Sequence, residues 1–244
     1  MPNTRQQMHR RAFLAGSVAV GIGLSTAGCL SRARFWSSDD VVLDEPEYYD
    51  QLRSSRDEGH LDHPIHGDEL PEATVPDALG DGAVTTTEFV GDRHVLLTFI
   101  FSRCTMACPL LTSNLAQVQG NAMQDGYDDE FAFMPTTFDP EYDTPDVLSE
   151  YSEDLGAAID EENWHFLRPE TEDDAQEVVN ETFGVRFEWL SEEDREMGED
   201  MAFEHTSSII LANEDGYVER NYTNGRVPNA AGLLQDIETF RERW

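Results

Sequence analysis

Residues 94–111, HVLLTFIFSRCTMACPLL, contain the stretch that decides the fold. Between positions 95 and 101, six apolar residues surround Thr98, without the alternation of a strand that has one face in water. Such a run is typical of a central strand in a sheet that is covered on both faces. Cys104 and Cys108 follow just beyond its carboxyl end. Groups that act on ligands lie at this end in strand–loop–helix units, so the two cysteines are the first candidate site.

Working outward from this strand, the patterns predict alternating strands and helices. Two short strands with a glycine-rich turn precede it. After it we predict a helix over 105–120, a strand over 131–137, a helix from Pro145 to 155 capped by Thr144, and a short strand over 164–168. A helix ended by Gly184, an extended stretch over 185–190, a hairpin turning at 214–216 and a closing helix complete the chain. This order predicts an α/β, thioredoxin-like fold, in which a central mixed sheet has helices on both faces.

The composition is strongly acidic. All 16 basic residues are arginine, set against 50 acidic residues, for a net charge of −34 among 244 residues. A surface with this charge repels itself at ordinary ionic strength, and molar salt screens the repulsion. We therefore expect a protein adapted to a very salty environment, a halophile's protein. Nucleic acid is excluded as a partner, because the sequence has no basic patch to contact phosphates.

The N-terminal 28 residues resemble an export signal. Arg10 and Arg11, followed by Phe13 and Leu14, resemble the twin-arginine signal, and an uncharged stretch leads to Cys29 after the residues STAG. The segment preceding Cys29 resembles a lipobox, so we expect cleavage after residue 28 and lipidation of Cys29. The alternative is an uncleaved membrane helix, for which about 20 apolar residues would be needed. Either reading places the rest of the chain outside the cytoplasm, anchored to the outer face of the membrane.

Residues 29–69 are predicted to be an acidic membrane tether, with residues 70–244 forming the domain. The tether has many charges and no sustained period, although a short helix over 48–57 fits its sequence. His60, His63 and His66 recur at a spacing of three, which suggests a metal cluster. Pro64 interrupts any helix that would align them, so we favour a solvated segment that lies against the domain.

With Cys29 lipidated, Cys104 and Cys108 are the two remaining thiols. Their i, i+4 spacing puts both side chains on one face at the first turn of a helix. The helix N-terminus and the neighbouring Arg103 favour the thiolate form, which binds soft metals or forms a disulfide. The alternative is a pair of buried, inert cysteines.

His205 is the third candidate ligand. It precedes a strand predicted over 207–211, which should lie beside the strand over 95–101 and bring the imidazole towards the cysteines. His94 and His165 are expected to be structural. Two thiolates and one imidazole suit Cu(I) or Cu(II), whereas zinc prefers a fourth ligand.

At this point the chain resembles the Sco/SenC family of membrane-anchored, copper-binding, thioredoxin-fold proteins. The resemblance covers residues 70–244 and rests on three stretches: FIFSRCTMACP, TFDPEYDTPDVLSEY and EHTSSIILANEDG. It implies copper as the cargo and Cys104, Cys108 and His205 as its ligands. It also implies a copper chaperone that assists assembly of the dinuclear copper site of cytochrome c oxidase, with the copper-site subunit of that oxidase as its partner. We expect the protein itself to be a monomer.

Two departures from the family pattern bear on the site. Glu204 stands where the family has aspartate before the histidine, and the residues between the cysteines, Thr105, Met106 and Ala107, are uncharged. Met106 is a soft donor, although packing is the interpretation that we favour for its side chain.

Two other functions stay open. One is a thiol–disulfide oxidoreductase that reduces cysteines of the oxidase copper subunit, and the other is a redox or metal sensor. Thioredoxin-type reductases usually have Cys-x-x-Cys and a cis-proline before the facing strand, whereas no proline occurs here between Pro169 and Pro228. A metallochaperone, rather than an enzyme, is therefore the first interpretation.

Overall fold

The computed structural model describes residues 40–189 and 203–244, and for residues 189, 203–205 and 224 it describes the backbone alone. Its strands are β1 (Thr74–Pro76), β2 (Ala83–Thr85), β3 (His94–Ile100), β4 (Phe131–Thr137), β5 (Phe187–Trp189), β6 (Phe203–His205), β7 (Ser208–Ala212) and β8 (Val218–Thr223). Its helices are α1 (Tyr49–Asp57), α2 (Ala107–Asp125), α3 (Pro145–Asp154), α4 (Glu172–Ala175, continued as a π-helix over Gln176–Thr182) and α5 (Ala230–Arg243), with 3₁₀ turns at Asp128–Glu130 and Asn224–Arg226.

The central sheet has the strand order β4-β3-β7-β8. Strand β3 pairs in parallel with β4 and antiparallel with β7, so the sheet is mixed. Every residue of β3 is buried, which confirms the prediction that its unbroken apolar run marks a central strand. Helix α2 packs against β3 and β4, and α5 packs against α2.

Thr98 is a polar residue in the middle of β3, and its hydroxyl donates a 2.6 Å hydrogen bond to the carbonyl oxygen of Ser208. A buried hydroxyl without a partner would cost free energy. The bond therefore lets threonine stand in the middle of the sheet, beside the first residue of β7.

The helix boundaries follow their capping residues. Helix α2 is longer than predicted: it begins at Ala107, and it runs through Gly120 to Gly126, where a left-handed conformation (φ 76°) ends it. The prediction for α3 is confirmed, since the Thr144 hydroxyl accepts a hydrogen bond from the backbone N–H of Val147, and Pro145 occupies the first turn.

The prediction of a strand over 164–168 is wrong. This stretch forms two isolated parallel bridges to β4, Phe133 with Trp164 and Thr136 with Leu167. Between the bridges, the N–H groups of His165 and Leu167 still donate to the carbonyl oxygens of Phe133 and Pro135, at 2.9 and 2.8 Å. Pro135 has no N–H to donate in return, so no continuous ladder forms. The predicted hairpin is confirmed, with β7 and β8 joined through the turn at 214–216.

The packed part of the chain begins well before residue 70. Leu43 and Tyr49 are buried, and the short helix that fits residues 48–57 is present as α1. Residues 67–70 run along the outer edge of β8: the N–H of Gly67 donates to the Val218 carbonyl at 2.7 Å, and the N–H of Val218 donates to Asp68. This pairing covers an edge that would otherwise expose unpaired backbone groups.

Within the described ranges, none of the helices combines the length and the apolar character that crossing a membrane requires. Cys29 and the signal-like residues before it lie outside these ranges.

Candidate metal centre

The cysteine pair lies in the connection between β3 and α2. Cys104 is in the loop after β3 and Cys108 is in the first turn of α2, with exposed fractions of 3% and 0%. Their side chains are hydrogen-bonded to each other. The prediction that the i, i+4 spacing brings the two sulfurs to one place is therefore confirmed. Both sulfur-bearing side chains are thus buried, and Cys104 retains the small exposed fraction of the pair.

The ionisation of Cys108 differs from the prediction. Burial raises the pKa of its thiol well above the ordinary value, and the hydrogen bond with Cys104 raises it further. The prediction of a favoured thiolate is therefore wrong for Cys108. A hydrogen bond with the backbone of Phe101 lowers the pKa, but it does not offset the loss of hydration that a buried thiolate would suffer.

Arg103 does not supply the expected positive charge to the cysteines. Its guanidinium donates hydrogen bonds to Asp139 at 2.5 and 3.1 Å, and it lies over the ring of Tyr142 at 4.4 Å. The Asp139 side chain is 1% exposed, so this ion pair is screened little by salt. The charge of Arg103 is thus balanced by a carboxylate that follows β4.

Asp143 holds the residues that lead into the cysteine loop. Its carboxylate accepts hydrogen bonds from the backbone N–H of Ser102 at 3.1 Å and from the hydroxyls of Ser102 and Thr137. Burial raises the pKa of Asp143 to about 6, although the hydrogen bonds from Ser102 and Thr137 act in the opposite direction. A buried carboxyl therefore contacts Ser102, the residue two positions before Cys104.

Arg168 fixes the backbone of the turn that carries these two aspartates. It donates hydrogen bonds to the carbonyl oxygens of Asp143 at 2.8 Å and of Pro140 at 2.7 Å. Sequence reasoning assigned no role to Asp139, Asp143 or Arg168. The position of the aspartates after β4 was a usable signal, because the carboxyl ends of adjacent parallel strands meet at one edge of a sheet.

Met106 lies between the cysteines with 63% of its surface exposed. The interpretation that its side chain packs into the protein is therefore wrong. Leu110, one turn further along α2, is also exposed. The rim of the cysteine loop thus presents a thioether and an aliphatic side chain to solvent.

The backbone of His205 lies in β6, opposite Phe187 of β5. Strand β7 follows three residues later and pairs with β3, with Ile209 opposite Thr98. Because the two strands are antiparallel, the chain that enters β7 arrives at the carboxyl end of β3, where the cysteine loop begins. The predicted neighbourhood of these strands is confirmed, and the imidazole of His205 lies outside the described part of the chain.

His94 and His165, which we expected to be structural, both make contacts within the fold. His94 is buried, its Nδ1 accepts a hydrogen bond from the backbone N–H of Glu214 at 2.9 Å, and burial lowers its pKa to about 4. His165 is 3.0 Å from the carboxylate of Asp77 through Nδ1. Both rings serve contacts within the fold, away from the cysteine loop.

The histidines at 60, 63 and 66 occupy three different environments. His60 is largely exposed and lies 3.4 Å from Glu58. His63 is half-buried, and burial lowers its pKa. His66 is buried, with its Nδ1 2.9 Å from the carbonyl oxygen of Glu219. Among the residues with described positions, no group of three histidine, cysteine or acidic side chains is arranged to hold a metal ion.

Solved structures share this fold. A SCO1/SenC family lipoprotein from Bacillus anthracis superposes with a TM-score of 0.57 at 21% identity, covering 74% of this chain and 99% of that chain. Yeast Sco1 with copper bound gives 0.55 at 21% identity, over 74% and 91% of the two chains. BsSco, described with a disulfide switch and as a member of the Sco family of cytochrome c oxidase assembly proteins, gives 0.53 at 21% identity, over 74% and 97%. The α/β, thioredoxin-like fold class is thereby confirmed.

Membership in a family rests on the sequence match rather than on the fold. The family model described as SCO1/SenC matches residues 79–241, more than half of the chain. The matched range includes the cysteine loop, the aspartate turn and the strand pair β7–β8. The chain belongs to the SCO1/SenC family.

Proposed function

We propose that this protein is a membrane-anchored, extracytoplasmic copper chaperone. It binds one copper ion through Cys104, Cys108 and His205, and it assists assembly of the dinuclear copper site of cytochrome c oxidase. The observation that carries the proposal is the contact between two buried cysteine side chains at the carboxyl end of the central strand.

The donor chemistry of this pair fits copper. Thiolates are soft ligands, which Cu(I) prefers over the oxygen ligands that suit magnesium or calcium. Because the pKa of Cys108 is raised, copper must displace a proton when it binds to that sulfur. The fixed backbone at Ser102 and the i, i+4 spacing hold the two sulfurs together before the metal arrives. A nitrogen from His205 completes a site that also accepts Cu(II).

Family members support the copper cargo and the target. Yeast Sco1 has been solved with copper bound, and BsSco belongs to a family of cytochrome c oxidase assembly proteins. We infer the same cargo for this chain, and the copper-site subunit of a haem–copper oxidase as its partner. Arg10, Arg11 and Cys29 support export by the twin-arginine route and a lipid anchor on the outer face of the membrane.

Copper stoichiometry of the purified, reduced protein tests the ligand assignment. We expect one copper ion per chain, and we expect Cys104→Ser and Cys108→Ser each to abolish tight binding, since a serine hydroxyl stays protonated. Cys29→Ser is the matched control, because it makes the same change far from the site in sequence and should keep the stoichiometry. Full retention of copper by both site variants would refute the assignment.

The second candidate is a thiol–disulfide oxidoreductase, favoured by the contact between Cys104 and Cys108 and by the disulfide switch of BsSco. Two features oppose it. The raised pKa of Cys108 disfavours the nucleophilic thiolate at that sulfur, and no peptide bond in residues 40–189 and 203–244 is cis.

The variant His205→Ala separates the two candidates. It should weaken Cu(II) binding more than Cu(I) binding, because Cu(I) is satisfied by two thiolates while Cu(II) gains from a nitrogen ligand. A copper carrier should lose oxidase maturation in cells with normal abundance of this variant, whereas a dithiol reductase should keep most of it. Unimpaired oxidase activity would overturn copper transfer in favour of thiol reduction.

A further inference from the structure

The backbone of residues 62 and 63 approaches Gly184 too closely for any side chain there. Gly184 has φ +65°, and a Cβ at this position would lie 2.4 Å from the carbonyl carbon of Asp62 and from the nitrogen of His63. Both neighbours are backbone atoms, which cannot rotate aside as a flexible side chain can. The histidine segment, which we define as residues 60–66, therefore rests directly on the chain that leads into β5.

This contact continues into the antiparallel pair of strands β5 and β6, which carries His205 and which we call the hairpin from here on. Arg186 lies two residues after Gly184, and its guanidinium is 3.1 Å from the carboxylate of Asp62. The carbonyl oxygen of Arg186 accepts a 2.9 Å hydrogen bond from the backbone N–H of Thr206. The next residue, Phe187, is directly opposite His205 in the β5–β6 ladder. Arg186, which contacts Asp62 of the histidine segment, is thus adjacent along the chain to the residue that lies opposite His205.

On its other side the hairpin reaches the cysteine loop through aromatic side chains. The ring of Phe187 stacks on Phe138 with centroids 4.7 Å apart, and Phe138 lies 5.4 Å from the ring of Phe101. Phe101 immediately precedes Ser102 and the cysteine loop. The base of the hairpin is therefore held between this aromatic row and the histidine segment.

The histidine segment is itself fixed to the central sheet. Ile65 is 1% exposed, the Asn221 amide donates a 2.8 Å hydrogen bond to the carbonyl oxygen of Pro64, and Nδ1 of His66 is 2.9 Å from the carbonyl oxygen of Glu219. A segment anchored at β8 on one side and pressed against Gly184 on the other can set the position of the hairpin relative to the cysteines.

We propose that the histidine segment positions the hairpin that carries His205, with Gly184 as the positioning residue at their contact. The role rests on the proposed function, in that His205 is taken as a copper ligand. It also gives the segment between the membrane anchor and the domain a part in the nitrogen-containing Cu(II) site, while the two-thiolate Cu(I) site stays independent of it.

The variant Gly184→Ala tests this role in the full-length protein, with copper itself as the probe. Its Cβ should push residues 62 and 63 away from the hairpin, and Cu(II) affinity should fall on the order of tenfold, as for other losses of outer support around a metal site. The nitrogen coupling in the Cu(II) electron paramagnetic resonance spectrum should weaken, while Cu(I) affinity should not change. Gly59→Ala is the matched control: it has φ +73°, lies just before the same segment and meets nothing within 4 Å.

Two further variants complete the test. Gly184→Ala added to His205→Ala should lower Cu(II) affinity no further, because a ligand already absent cannot be displaced. Ile65→Ala, which removes a buried side chain of the segment and leaves the sequence of the hairpin unchanged, should reproduce the loss of nitrogen coupling, and it replaces Gly184→Ala if that variant fails to fold.

The outcomes separate the two proposals. Wild-type Cu(II) affinity and nitrogen coupling in Gly184→Ala, or in its replacement Ile65→Ala, would overturn the positioning role while leaving the ligand set intact. Wild-type nitrogen coupling in His205→Ala would refute His205 as the ligand, and the positioning role would fall with it.

Discussion

Asp143 accepts two hydrogen bonds from Ser102, one from its backbone N–H and one from its hydroxyl, although 41 positions separate the two residues. Ser102 follows the central strand by two residues and precedes Cys104 by two. The contact therefore ties the start of the cysteine loop to the turn after β4. It places a buried carboxyl where its ionisation bears on both stability and the site.

The replacement Asp143→Asn should change how stability depends on pH. The folded protein raises the pKa of Asp143 from its ordinary 3.8 to about 6, so between these values it holds a proton that the unfolded chain has released. The contribution of this group is therefore greatest below the lower value and is lost as pH rises through the higher one, by about 3 kcal/mol. In the variant, urea unfolding from about pH 4 to about pH 7 should lack this fall.

Asp146→Asn is the control for that measurement, because Asp146 is an exposed carboxylate in the first turn of α3. It should leave the pH dependence of the wild-type protein in place. If Asp143→Asn shows the same pH dependence as Asp146→Asn, the buried carboxyl is not the group that titrates.

Cu(I) affinity should rise with pH across the neutral range. The pKa of Cys108 lies well above its ordinary value, so its sulfur enters the site as a thiol and must release a proton to become a ligand. Each proton released should strengthen binding about tenfold per pH unit. Competition with a chelator of known protonation behaviour measures this slope, and an affinity independent of pH would show that both sulfurs are already thiolates.

Replacing His60, His63 and His66 together by alanine should leave tight Cu(I) binding unchanged, because their rings lie in separate environments. The triple variant should nevertheless be less stable than the wild-type protein, because it lacks the His66 ring. This ring is buried and hydrogen-bonded to the carbonyl of Glu219, so His66→Ala should cost about 1–3 kcal/mol in the free energy of unfolding.

Urea unfolding measures this cost, and His60→Ala, which removes an exposed ring, should be neutral in the same measurement. A loss of Cu(I) affinity in the triple variant as large as the loss in Cys104→Ser would mean that the site lies in the histidine segment.

Cys29→Ser should release the exported protein from the membrane while copper binding persists, because the proposed lipid anchor and the cysteine loop are separate in sequence. Partition between membrane and soluble fractions, with the N-terminus of the product sequenced, measures the outcome. A variant that stays in the membrane with residues 1–28 attached would support an uncleaved membrane helix instead.

Local patterns were sufficient for much of the fold. The predicted strand over 131–137 is β4, Phe131–Thr137, and Thr144 with Pro145 opens α3 as expected. These signals reside in hydrophobic period, capping residues and turn residues, all of which act over a few positions. The stretch 164–168 shows their limit, because it makes two isolated bridges to β4 where the sequence predicted a strand.

The sequence by itself determined the central strand, the i, i+4 cysteine pair beyond it and the family resemblance that names His205 as a ligand. Only the tertiary structure decided that Arg103 pairs with Asp139 rather than with a thiolate, and that Asp143 supports the loop. The protonation of Cys108 was also decided by the tertiary structure, since burial raises the pKa of its thiol. Spacing along the chain specifies which side chains share a helix turn, whereas desolvation and ion pairing depend on groups brought together from distant positions.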